Sequence, residues 1–96
     1  MHFIIMNTDK PGQKALRQAT RRAQHDYLEG FRDKIKIAGP TVTEKSGVST
    51  GSLIVFEADT FAQAEAFAGN DPYVKAGLFD SRVIKAWNWI VGRPES

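Results

Sequence analysis

The sequence predicts a single α+β domain of ferredoxin-like type, and three observations carry that prediction. Its 96 residues suffice for one compact core and not for two. Short β-branched runs and segments of helical period alternate in the order β-α-β-β-α-β. The last run is rich in aromatic and β-branched residues, as a closing strand should be. The expected architecture is an antiparallel four-stranded sheet with two helices on one face, over residues 1–96.

The first strand is expected over Phe3 to Met6, an apolar run closed by the loop-forming stretch Asn7 to Gly12 with its Pro-Gly pair. Between Gln13 and Asp33, Leu16, Ala19, Ala23, Tyr27 and Phe31 recur at three- and four-residue spacing with Gly30 as the only glycine and no proline, so a helix covers most of the span. Two starting points fit that pattern, one at Gln13 and one near Arg21. Ile35 and Ile37 alternate with lysines before Gly39-Pro40, and Leu53 to Phe56 follow Gly51-Ser52, which predicts a hairpin across the polar stretch Glu44 to Thr50. Thr60 followed by Gln63 has the form of a capping box, and Phe61, Ala64, Phe67 and Ala68 supply the apolar stripe of a second helix ending at Gly69. The final strand is expected from Val83 to Val91, with Val83, Trp87, Trp89 and Val91 on one face.

Composition narrows the function classes. Hydrophobic residues at 42% and charged residues at 25% exclude a disordered or fibrous chain. Without cysteine there are no disulfides and no thiolate metal sites, and two separated histidines do not make a metal cluster, so no metal is expected. No phosphate-binding glycine fingerprint occurs, so no nucleotide cofactor is expected. The third strand lacks the basic and paired-aromatic pattern of an RNA-binding sheet, which argues against nucleic acid. The apolar start is too short to span a membrane and lacks a signal-peptide charge pattern, so a cytoplasmic protein is expected. Lys10, Lys14, Arg17, Arg21 and Arg22 make the first third locally basic, which suits either an anion or a solvated helix face. Two tryptophans on one strand face call for cover, and a second copy of the chain would provide it.

Two places could carry chemistry. His25 lies opposite the apolar stripe if the helix begins at Gln13, and on its border with water if the packed helix begins near Arg21. Asp71 precedes Pro72, which suits the carboxylate to cap a new helical turn. A carboxylate that also reached an imidazole would fix its tautomer and leave the other nitrogen as a general base.

With Arg22-x-x-His25-x-x-Leu28, Ala38-Gly39-Pro40, Gly51-Ser52 and the long run Asp71 to Phe79 read in order, the chain resembles the YCII-related family. That resemblance implies a dimeric α+β barrel and an active site centred on a His-Asp pair, here His25 and Asp71, with Arg22, Ser52 and Tyr73 as substrate-binding candidates. Relatives often carry proline after the motif arginine, where this chain has Ala23. One enzyme type of the family removes HCl from a chlorinated hydroxyquinol. The function so implied is cofactor-independent proton transfer, an elimination or isomerisation, on a small phenolic or enolisable substrate. The alternative is a non-catalytic dimeric module that binds a small ligand or a partner.

Overall fold

The computed structural model describes residues 1–94. Its elements are β1 (His2–Asp9), α1 (Lys14–Glu29), β2 (Ile35–Val42), β3 (Ser49–Glu57), α2 (Phe61–Gly69), α3 (Pro72–Lys75) and β4 (Phe79–Trp87). The strands form one antiparallel sheet in the order β2-β3-β1-β4, the ferredoxin-like arrangement the element order predicts.

Register decides the two faces. Phe3 pairs with Phe56 and Ile5 with Ile54, and these alternate residues point to one side. There they meet Ala64, Phe67 and Ala68 of α2, the partly buried Tyr27 and Leu28 of α1, and Phe31 in the turn after it. Phe56 and Phe67 stack with centroids 4.0 Å apart, and the Phe31 ring meets Phe67 edge-on at 4.9 Å. Both helices therefore cover the same face. On the other face, Met6, Ile37 and Val83 remain about half exposed, and Met6 pairs directly with Val83.

Local capping follows the sequence reading. Thr60 accepts the Gln63 amide at 3.2 Å, while the Gln63 side chain takes the Asp59 amide at 2.8 Å, one residue before the reciprocal position of a capping box. Asp71 caps α3 by accepting the Tyr73 amide at 2.9 Å, with Pro72 at the first helical position. The turn closes at Gly77, whose φ of 78° suits glycine, and the following amide of Leu78 donates to the Tyr73 carbonyl.

Four expectations change. The first strand runs on to Asp9, so Asn7, Thr8 and Asp9 belong to the sheet and not to the expected loop, because β3 and β4 offer partners on both sides. The first helix begins at Lys14, so the later start near Arg21 does not occur. The hairpin strand β2 runs through Gly39-Pro40 to Val42, which an edge strand permits because the missing amide of Pro40 need not serve a second neighbour. The last strand spans Phe79–Trp87 instead of Val83 to Val91. Pairing with β1 recruits its polar first half, with Ser81 against Thr8 and Arg82 against Asn7, whereas beyond Trp87 β1 has no residue left to pair. Val83 and Trp87 do share a face, but Trp89 and Val91 leave the strand, and the Trp89 indole donates to the Val91 carbonyl at 2.8 Å.

Candidate functional site

A pocket of about 480 Å³ opens between α1 and the β2–β3 hairpin, with Tyr73 of α3 at its end. One stripe of α1 faces this space, Lys14, Arg17, Arg21, Gln24 and Leu28, spaced three and four apart, and Gln18 and His25 line it as well. Ala38, Gly39 and Pro40 of β2 and Ser49, Ser52 and Ile54 of β3 form the opposite wall. Three cations line the pocket and no carboxylate does. Asp9 offsets the charge of Arg17, so Lys14 and Arg21 supply the excess positive charge of the lining, which suits an anion.

Arg17 is held firmly. Its guanidinium donates to both Asp9 oxygens, at 2.7 and 3.0 Å, and to the Gly51 carbonyl at 2.9 Å. It also lies 4.7 Å over the Tyr73 ring. The Asp9 hydrogen bond raises its pKa further, with burial opposing, so Arg17 is cationic at every working pH. Gly51 is required here because a Cβ would fall 2.0 Å from the Asn7 carbonyl oxygen on the neighbouring strand. Beside it, the Asn7 amide donates to the Ser52 hydroxyl at 3.0 Å, with both residues buried. That bond occupies an acceptor position of Ser52 and leaves its own proton free to turn into the pocket. The Asn7 side-chain oxygen is buried without a partner.

Asp71 sits behind the lining, only 2% exposed. Burial pushes its carboxyl pKa up; the Tyr73 amide, the Gln24 side chain and the cations Arg17 and Arg82 act in the opposite direction. The phenol of Tyr73 is raised by burial too, with Arg17 opposing. Tyr27 is raised by burial and by the nearby Asp71 charge, and its hydroxyl donates to the Phe67 carbonyl at 2.8 Å.

The positions expected from sequence separate into two groups. Ser52, Tyr73 and His25 line the pocket. His25 is solvent-exposed on its wall. No hydrogen bond joins His25 to Asp71 among the described residues; Asp71 accepts the Tyr73 amide. Arg22 lies outside the pocket, 90% exposed and paired with Asp26 at 3.4 Å, whereas Arg21 lines it. Of the motif residues on α1, His25 is therefore on the wall and Arg22 is not, with its neighbour Arg21 turned to the pocket instead. Arg17, Arg21 and Gln24 were legible as a polar stripe at three- and four-residue spacing once the helix is started at Lys14; Asn7 had no local signal. Among the described residues there is no group of three His, Asp or Glu placed to hold a metal, and no helix is long and apolar enough to cross a membrane.

Comparison with known proteins agrees with this architecture. The model of the YCII-related domain family matches residues 1–88. Protein YciI of Escherichia coli is 30% identical over 92 residues, covering 88% of this chain and 94% of its own. A solved structure of 5-chloro-2-hydroxyhydroquinone dehydrochlorinase from Burkholderia phenoliruptrix, in complex with 2,5-dihydroxybenzoquinone, superposes with a TM-score of 0.88 at 35% identity. The match covers 92% of this chain and 94% of that one. An uncharacterised NIPSNAP domain protein from Burkholderia xenovorans, 13% identical with a TM-score of 0.53 over 98% of both chains, shares the fold.

Proposed function

This chain belongs to the YCII-related domain family, and from that membership we propose that its pocket binds a small phenolic or enolic anion and transfers a proton on it without a cofactor. The observation that carries the reading is the lining itself: the excess positive charge of Lys14 and Arg21, and the Tyr73 ring at one end. The dehydrochlorinase neighbour holds a dihydroxybenzoquinone, a compact oxygen-rich ring of the kind such a lining suits.

In this proposal Lys14 and Arg21 neutralise the ligand's anionic oxygen and Ser52 donates to a second oxygen. His25 is the imidazole on the wall and takes the proton of a substrate hydroxyl or activated carbon. It acts directly from the wall, without Asp71 as its hydrogen-bond partner. Asp71 supports the site from behind by starting α3, and so placing Tyr73. A second copy of the chain covers the half-exposed apolar face carrying Met6, Ile37 and Val83, completing the dimeric barrel of the family.

One observation favours a purely binding role: His25 stands in solvent, and no carboxylate among the described residues accepts a hydrogen bond from it. The two readings part in one experiment. The protein is titrated with 2,5-dihydroxybenzoquinone and assayed for chloride release from 5-chloro-2-hydroxyhydroquinone, using wild type and His25→Ala. Turnover lost in the variant with quinone binding retained supports the base assignment, and turnover surviving the substitution refutes it. Binding without turnover in wild type selects the binding role, and absence of binding removes both.

A further inference from the structure

We propose that Asn7 is a positioning residue that commits the Ser52 hydroxyl to donating, so that the pocket takes its ligand with a bare, ionised oxygen against Ser52. This rests on the anion-binding reading of the pocket and adds the protonation state in which the ligand is held.

Asn7 lies on β1 between two register partners, Ser52 on β3 and Arg82 on β4. Directly opposed residues of a ladder share a face, so the three form one polar row across the sheet. The Asn7 amide donates to the Ser52 hydroxyl oxygen at 3.0 Å, and the two residues are 4% and 7% exposed. Ser52 lines the pocket and Asn7 does not. Turned round, the amide would take up the Ser52 proton on its own oxygen and set its NH2 group on the side of Arg82, which only donates. In the observed orientation Ser52 receives a hydrogen from the fold and keeps its own for the pocket. Accepting from the amide also polarises the hydroxyl, which strengthens its bond to a negative oxygen.

This arrangement carries a cost. Among the described residues, the Asn7 side-chain oxygen is the one buried side-chain nitrogen or oxygen atom without a hydrogen-bond partner. An unpaired buried acceptor destabilises a fold, and leucine has the same branched shape without it. Packing therefore gives no reason for an amide at this position, whereas its bond to a pocket hydroxyl does.

The test uses 4-nitrophenol, which turns yellow on ionising. Its charge then spreads to the nitro oxygens, so a donor at either end favours the ionised form. Wild type is expected to bind the phenolate about tenfold more tightly than the phenol, which lowers the pH of the colour change by about one unit on binding. In Asn7→Leu and in Ser52→Ala the preference should fall to about threefold, and the double variant should lose no more than either single one. The other charged and titratable groups of the lining, Lys14, Arg17, Arg21, His25 and Tyr73, are the same in every variant and supply the remainder. Asn7→Leu should melt no lower than wild type, which separates positioning from a structural role. An undiminished preference in Asn7→Leu, whatever its Tm, or losses that add in the double variant, overturns the role of Asn7 and leaves the pocket reading standing. Failure of wild type to bind the probe, or to prefer its phenolate, overturns both. Should Asn7→Leu be too poorly folded to titrate, the Asn7 NH2 protons are followed by NMR in wild type and Ser52→Ala. A shift on adding the probe that is lost in Ser52→Ala supports the relay, and no shift, or an equal shift in both, overturns it.

Discussion

Replacing Arg17 with alanine is expected to cost about 3 kcal/mol of stability. The guanidinium makes two charge-assisted bonds to Asp9, a third bond to Gly51 and a stacking contact with Tyr73. The side chains of the pair are 13% and 11% exposed, so the substitution strands a carboxylate with little access to water. Breaking a buried pair costs about 3–5 kcal/mol, and the remaining contact with solvent places this one at the low end. For a domain of this size the loss corresponds to a fall in Tm of about 15 °C. Urea unfolding of Asp9→Ala, Arg17→Ala and the double variant should give a coupling energy of about 2 kcal/mol, because the second substitution removes the charge stranded by the first. A coupling below about 0.5 kcal/mol, the range of exposed ion pairs, would refute the idea that this pair anchors α1 to the sheet. Since the Asp9 bond raises the Arg17 pKa above an already high value, the arginine's share is present at acidic and neutral pH alike and is lost only as pH climbs through that raised value.

Three further outcomes are expected. Burial raises the Asp71 pKa, so between the ordinary carboxyl value and the raised one the folded chain keeps a proton that the unfolded chain has lost, and stability from this group falls as pH rises. Asp71→Asn retains an acceptor for the Tyr73 amide and removes the titration, so its Tm relative to wild type should increase from about pH 3 to about pH 7; a relative decrease would contradict the shift. Gly51→Ala drives a Cβ into the Asn7 carbonyl oxygen and should cost about 3 kcal/mol, whereas Gly39→Ala, with open space around it, should stay within about 1 kcal/mol in the same denaturation assay. Met6→Lys combined with Val83→Lys puts two like charges on paired residues of the open sheet face, and light scattering should show a dimeric wild type turned monomeric; a monomeric wild type would exclude the proposed dimer.

Features governed by neighbours in the chain were legible from the residues. Phe61, Ala64, Phe67 and Ala68 mark α2 by period, Thr60 caps it, and Asp71-Pro72 starts α3, because caps and periodic stripes are set by side chains a few positions apart. The family, too, was readable, since its short motifs keep their order along the chain. Strand ends were less so: β4 begins in the polar stretch Phe79 to Arg82 because β1 lies beside it, and ends at Trp87 because β1 has no further residue to offer.

The order of elements and the cationic character of the first third are properties of the sequence itself. Which of those cations and amides face the pocket is a property of the fold. The apolar spacing from Leu16 to Phe31 allows more than one helix start. The start at Lys14 coincides with the anchoring of Arg17 by Asp9 on β1 and by the Gly51 carbonyl on β3, contacts that no local pattern encodes. With that phase set, Arg21 and Gln24 turn inward, Arg22 turns to water and His25 stands exposed on the pocket wall. A residue's place in a motif is one-dimensional, whereas its chemistry depends on a rotation about the helix axis that only tertiary contacts determine.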